Sequence, residues 1–223
     1  MFTEKRDVET GKYTLGLILS IHKFTWTPIT LLLSFIYSNY SQRMMIMNGL
    51  FGSYGVLWVL KSKYFYDKNF YTNKKYEYDL KNAIISYLSI SVYYLFPYIT
   101  ATNKQEISLF DTYLSTFLYS LGVFFHYGSD AQKYYTLKYN PNKLISDGFF
   151  SIVRHPNYSG EFLIWFGFIL ISGKEKALSY VPLIWLILAT LLSGMPEKER
   201  SLKKYDEFNS WKENTKALIP FIY

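Results

Sequence analysis

Charge in this 223-residue chain is confined to clusters, and that confinement fixes its fold class before any motif is read. Only 18% of the residues are Asp, Glu, Lys or Arg, below the roughly 25% of ordinary soluble domains. Between the clusters lie six apolar stretches, at about 14–37, 44–60, 83–101, 107–128, 157–173 and 177–194. Each approaches the ~20 residues that a helix needs to cross a bilayer. The first is interrupted by His22-Lys23 and Pro28, so it reads as a kinked span or as an interfacial turn followed by a span. With six spans, nineteen of the 24 lysines and arginines fall on one side, Arg43, Lys104, Lys174 and Lys176 fall on the other, and Lys23 lies inside the first stretch. Such a split predicts six spans with both termini on the basic, cytoplasmic side, because miscounting by one span would scramble it. The expected fold is therefore all-α, an integral membrane bundle of about six transmembrane helices. An interfacial C-terminal helix follows Pro196, with Leu202, Tyr205, Phe208 and Trp211 on one side.

The remaining composition narrows the chemistry. Cysteine is absent and there are only three histidines, His22, His126 and His155, so disulfides, thiolate nucleophiles and multi-histidine metal sites are not expected. A net charge of +7 raises nucleic acid as a partner, but basic clusters separated by apolar runs point to anionic lipid or cofactor instead, and no nucleic-acid role is expected. Residues 1–12 are polar and mix Lys5 and Arg6 with Glu4, Asp7 and Glu9, unlike a secretory signal or a mitochondrial presequence. Gly49, Gly52 and Gly55 form a smooth strip where another helix can approach, which makes other subunits of a membrane assembly a possible partner class. Asp111 and His126 fall near the limits of the fourth stretch and are read as interfacial.

The densest chemistry is the run Ser151-Ile152-Val153-Arg154-His155-Pro156-Asn157-Tyr158-Ser159-Gly160-Glu161, where a polar segment meets the fifth apolar stretch. Asn157 is the expected N-cap of a helix through Phe162, Trp165 and Ile169. The helix start would then face Arg154 and His155, an arrangement suited to an anion. Glu161, one turn in, would place a carboxylate at or below the membrane surface, which is costly and calls for a role.

The elements Asp130-x-Gln132-Lys133, Asp147-Gly148-Phe149-Phe150 and Arg154-His155-Pro156-Asn157-Tyr158-x-Gly160-Glu161 come in that order. The tail continues with Lys198-x-Arg200-Ser201-Leu202 and Thr215-x-x-Leu218-Ile219-Pro220-Phe221. From about residue 128 to 221 the chain resembles steroid 5-alpha reductases and sterol reductases, while residues 1–127 match only in being hydrophobic. The expected division is thus 1–127, spans of unassigned role, and 128–223, a cofactor-binding half, within one membrane domain. The resemblance implies an NADPH-dependent reductase of a carbon–carbon double bond in a steroid- or lipid-like substrate. Asp130, Gln132, Lys133, Arg154, His155 and Asn157 would line the cofactor, and Tyr158 and Glu161 would lie near the reacting carbon. Related isoprenylcysteine and phospholipid methyltransferases carry a similar Arg-His-Pro-x-Tyr stretch and use S-adenosylmethionine, so a methyltransferase of a prenylated or lipid acceptor is the alternative. A non-catalytic subunit of a large membrane complex is a third. The family implies the endoplasmic reticulum, with the mitochondrial inner membrane left open.

Overall fold

A computed structural model describes residues 12–220. The expectations for Lys5, Arg6 and their neighbours, and for Phe221 in the tail, lie outside the described residues. Within them the chain is almost wholly helical, with a single two-stranded antiparallel pairing of β1 (Tyr13–Thr14) and β2 (Glu77–Tyr78). Three helical stretches are long and apolar enough to cross a membrane: Leu15–Ile36, Leu80–Thr102 and Ala177–Leu202. The protein is an integral membrane helical bundle. The other three expected spans are also helices, Gln42–Tyr64, Leu109–Tyr139 and Pro156–Ser172, but they fall short of that combination of length and apolarity. The chain divides into two compact units, one ending at Glu106 and the other beginning at Ile107. Residue 128, where the family resemblance begins, lies inside a continuous helix of the second unit.

The first unit contains α1 (Leu15–Phe24), α2 (Trp26–Ile36), α3 (Gln42–Tyr64), α4 (Lys68–Thr72), α5 (Leu80–Ile90) and α6 (Leu95–Thr102). Thr14, Ser41 and Asp79 cap α1, α3 and α5 by accepting from the amides of Leu17, Met44 and Asn82, which satisfies donors a helix start leaves free. The first apolar stretch is kinked at Thr25, between α1 and α2. Next to the kink, Trp26 stacks on Phe51 with ring centroids 3.7 Å apart and lies against Tyr54. Two glycines of the α3 strip are used within the unit. A Cβ on Gly55 would meet the Lys23 carbonyl at 2.5 Å and one on Gly52 the Thr27 hydroxyl at 3.3 Å, whereas Gly49 has nothing within 4 Å.

The second unit is built on α7 (Leu109–Tyr139), α8 (Phe149–Ile152), α9 (Pro156–Ser172), α10 (Val181–Ala189), α11 (Met195–Leu202) and α12 (Phe208–Asn214). Ser108 caps α7 by accepting from the Asp111 amide at 3.0 Å. At 31 residues, α7 is about 46 Å long. It therefore carries Asp130, Gln132 and Lys133 as helical residues past the end of the fourth apolar stretch. The α7–α9 crossing is close because both helices present glycine: a Cβ on Gly122 would meet the Gly160 carbonyl at 2.6 Å, and one on Gly160 the Gly122 carbonyl at 2.5 Å. Gly167 repeats this one heptad on, with the Ser115 carbonyl 2.9 Å from its Cβ position.

Two expectations about helix ends change. His155, not Asn157, precedes the first helical residue of α9, and Pro156 is that residue. Proline fits there because it has no amide hydrogen to leave unpaired and its φ is already helical. At the other end, the last apolar stretch does not stop before Pro196. A π-helical turn at Thr190–Gly194 joins α10 to α11, and this widening accommodates the proline, which lacks an amide donor and crowds the carbonyl four residues back. The tail then breaks, and α12 is a separate short helix. Its apolar side is covered from within: Phe208 and Trp211 pack on Leu144, with Phe150, Leu202 and Tyr205 beside them.

Candidate functional site

The three sequence elements and the tail form one assembly around the start of α9. Gln132 on α7 donates to the Asp147 carbonyl (3.0 Å) and carboxylate (3.1 Å) and accepts from the Phe149 amide (3.0 Å). It clamps the Asp147-Gly148-Phe149 turn, where Gly148 sits at φ +56° with Gln132 against its α-carbon. Gln132 therefore shapes the approach to α9 through backbone contacts. The turn delivers Val153, which bridges in parallel to Lys216. The Arg154 and His155 amides donate to the carbonyls of Lys216 (2.8 Å) and Ala217 (3.0 Å), and the Ser159 hydroxyl donates to the Leu218 carbonyl at 2.6 Å. Trp211 donates from Nε1 to the Phe150 carbonyl at 3.0 Å.

Glu199 is the hub of this docking. Its Oε1 accepts from Arg154 Nε at 2.8 Å and its Oε2 from Lys212 Nζ at 2.9 Å. Arg154 Nη1 also donates to the carbonyls of Lys212 and Thr215. The guanidinium expected to meet a phosphate is thus engaged mainly by the protein's own tail, with Nη2 outside these bonds. His155 is 3% exposed, and its Nε2 lies 3.5 Å from Glu199 Oε1 without hydrogen-bonding geometry. Burial, reinforced by the charge of Lys198, lowers its pKa to about 4, so the ring is neutral at pH 7. Tyr158 packs on the backbone at Gly194 and under the ammonium of Lys198, 4.0 Å from the ring centroid.

One turn further into α9 the crossing brings in a residue that sequence reasoning set aside. His126 is buried: its side chain is 2% exposed and stands where α7 meets α9. Its Nδ1 lies 3.1 Å from the Asn157 carbonyl and 4.0 Å from Glu161 Oε1, and its Nε2 is 3.9 Å from Asp130 Oδ2. Asp130 and Glu161 are 11% and 16% exposed, so one imidazole is flanked by two largely covered carboxylates from different helices. Asp130, expected to line the cofactor, and Glu161, expected near the reacting carbon, both flank His126. Lys133, three residues past Asp130, and Asn157 are half-buried nearby in the chain. The signal for His126 was present in its four-residue spacing to Asp130 and in the small residues Ser115, Gly122 and Ser129 at heptad intervals on the same helix.

A dinucleotide needs cations for its phosphates and polar groups along its sugars. Lys133, Lys198, Asn157 and the outer edge of Arg154 fit that requirement, as does the buried Nε2 of His155. Among the described residues no group of three or more His, Asp or Glu side chains is arranged to hold a metal ion. An open cleft of about 630 Å³ lies elsewhere, lined by the Asn140–Ser146 link and by Lys204, Tyr205, Asp206 and Glu207. None of the His126 cluster lines it.

A family model described as a protein of unknown function (DUF1295) matches residues 20–216, which includes both units. The delta(14)-sterol reductase of Arabidopsis thaliana is 24% identical over 138 residues, an overlap of 54% of this chain and 37% of that relative. The chain therefore spans well under half the length of the curated relative it matches.

Proposed function

The chain belongs to the DUF1295 family, within the sterol reductase-like superfamily, and on that premise we propose that it is a membrane-embedded, NADPH-dependent reductase of a carbon–carbon double bond in a sterol- or lipid-like substrate. The observation that carries this reading is His126 held between Asp130 and Glu161 at the α7–α9 crossing. Reducing a double bond adds a hydride to one carbon and a proton to the other, so the protein must hold and deliver a proton in an apolar setting. NADPH, when bound, supplies the hydride.

The protein's part begins with charge. Lys133 and the outer edge of Arg154 offset phosphate, while Asn157 and neutral His155 offer hydrogen bonds. Glu199 and the tail carbonyls fix the Arg154 fork, which orients the start of α9. Tyr158 provides a hydroxyl donor for charge that develops on a substrate oxygen, and Glu161 would join it only in its protonated form. His126 links Glu161 to Asp130, so a proton given up by Glu161 can be replaced along that pair. The 3.9 and 4.0 Å separations exceed hydrogen-bond length, as is common before a site closes on its substrate. The proposed compartment is the endoplasmic reticulum membrane.

The test is turnover by purified protein in nanodiscs, with NADPH and a panel of sterols carrying conjugated double bonds. Loss of NADPH with saturated product is expected, and Glu161→Gln or His126→Phe should lower kcat by about 10²–10⁴-fold, the range for removing a general acid. Methyl transfer from S-adenosylmethionine into a lipid fraction, with no NADPH consumption, would overturn the proposal in favour of the methyltransferase.

A further inference from the structure

His22 in the first unit is fully buried in an apolar helix and takes no part in the site above. Trp26, one turn on, donates from Nε1 to His22 Nδ1 at 3.2 Å. Indole nitrogen is a donor only, so Nδ1 is the acceptor and the ring hydrogen sits on Nε2. That Nε2–H is buried and has no hydrogen-bond acceptor among the described residues. Leaving a buried donor unmatched is costly, and native proteins rarely tolerate it without a reason.

Its surroundings say what would match it. The imidazole is ringed by Tyr94 at 4.8 Å, Tyr87 at 5.2 Å, Trp26 at 6.0 Å and Tyr93 at 6.3 Å between centroids. The Lys23 ammonium packs on two of the same rings, 3.7 Å from the centroid of Trp26 and 4.7 Å from that of Tyr93. A positive charge behind these walls favours the negative end of a dipole, hence an acceptor oxygen. Tyr87 is half-buried on α5 and shares that helix with Ile84, Ile85 and Leu88, all more than half exposed. Among the described residues its hydroxyl is held only by long contacts of 3.4 Å to Thr25 Oγ1 and to the Tyr94 hydroxyl. Tyr87 is therefore the wall that would have to turn to admit a ligand from the apolar surface of α5 to His22.

We propose that His22 Nε2–H, with Tyr87, Tyr94 and Trp26 as walls, forms a binding site within the first unit for the single carbonyl or hydroxyl oxygen of an otherwise apolar lipid entering from the bilayer. An uncharged donor and aromatic walls suit a neutral oxygen on a flat hydrocarbon body. Binding here does not depend on the reductase reading, since neither NADPH nor turnover enters it.

The experiment compares tritiated cholest-4-en-3-one with its oxygen-free counterpart cholest-4-ene, each titrated into the full chain in nanodiscs. Wild type should hold the ketone about five- to tenfold more tightly, as one hydrogen bond allows. His22→Phe keeps a ring but removes the donor, and should bring the ratio below about twofold. His22→Gln restores an N–H and should recover most of it. Equal binding of both lipids by wild type, or an undiminished preference in His22→Phe, overturns the proposal. If His22→Phe fails to fold, ¹⁵N-histidine spectra of wild type decide instead. The Nε2 resonance absent from His22→Gln should move with the ketone and not with the hydrocarbon, and a resonance indifferent to both overturns the site.

Discussion

Two buried histidines, one in each unit, show how the same side chain is put to different use by its neighbours. His126 lies at a helix crossing made of glycine and serine, close enough for a backbone carbonyl and two carboxylates to reach it. His22 lies among the largest side chains in the protein, and the indole of Trp26 fixes its tautomer. A group flanked by titratable partners can exchange a proton. A group fixed by an indole and walled by rings can only offer the one it has. Small residues bring polar chemistry together in the first case, and large ones keep it apart in the second.

The largest effects should come from reversing these sizes. Trp26→Ala removes a fully buried indole stacked at 3.7 Å on Phe51, a loss expected to cost about 3–5 kcal/mol. Gly160→Leu does the opposite harm, forcing a side chain toward backbone already 2.5 Å from the Cβ position, and should cost at least about 3 kcal/mol through overpacking. Thermal unfolding in detergent checks both. If Gly160→Leu melts like wild type, the α7–α9 crossing is not as close as described.

A pH effect comes next. His155 has a pKa of about 4 in the folded protein against 6.5 for a free side chain. Below pH 6.5 the unfolded chain takes up a proton that the folded one refuses. Stability should therefore fall as pH drops from about 6.5 to 4 and be insensitive to this group above that window, a total on the order of 3 kcal/mol. His155→Phe should flatten that slope, and an unchanged slope in a folded variant contradicts the neutral, buried assignment.

Glu199→Gln should be milder, about 1–2 kcal/mol, because its carboxylate is 18% exposed and its Lys212 partner 45% exposed. The sharper readout is local: with Arg154 and Lys212 released, limited proteolysis should cut between α11 and α12 several-fold faster. Gly49→Ala should be the smallest change, neutral or stabilising by up to about 1 kcal/mol, since nothing within 4 Å opposes a methyl and alanine favours helix. Marked destabilisation there would mean that a neighbouring chain approaches α3 at that glycine.

The helices were legible in the sequence because apolar runs and charge clusters are local signals. The sites were legible in pieces. Arg154 to Glu161 stood out as a run, and the tail stood out as a second element. Their union through Val153 and Lys216, with Glu199 taking up Arg154, is a pairing across more than forty residues that no spacing announces. Gln132 read as a cofactor group because its element did, whereas its bonds go to the turn at Asp147. His126 was set aside because a lone histidine near the end of an apolar stretch is usually wet. Its burial follows from α7 continuing to Tyr139 and from Gly160 letting α9 close over it.

The proposed reductase requires a dinucleotide to bind beside the start of α9. Titration of NADPH into the purified protein in nanodiscs, followed by nicotinamide fluorescence, should give saturable binding that Lys133→Glu together with Asn157→Leu weakens by at least tenfold. Saturable S-adenosylmethionine binding with none for NADPH would contradict it.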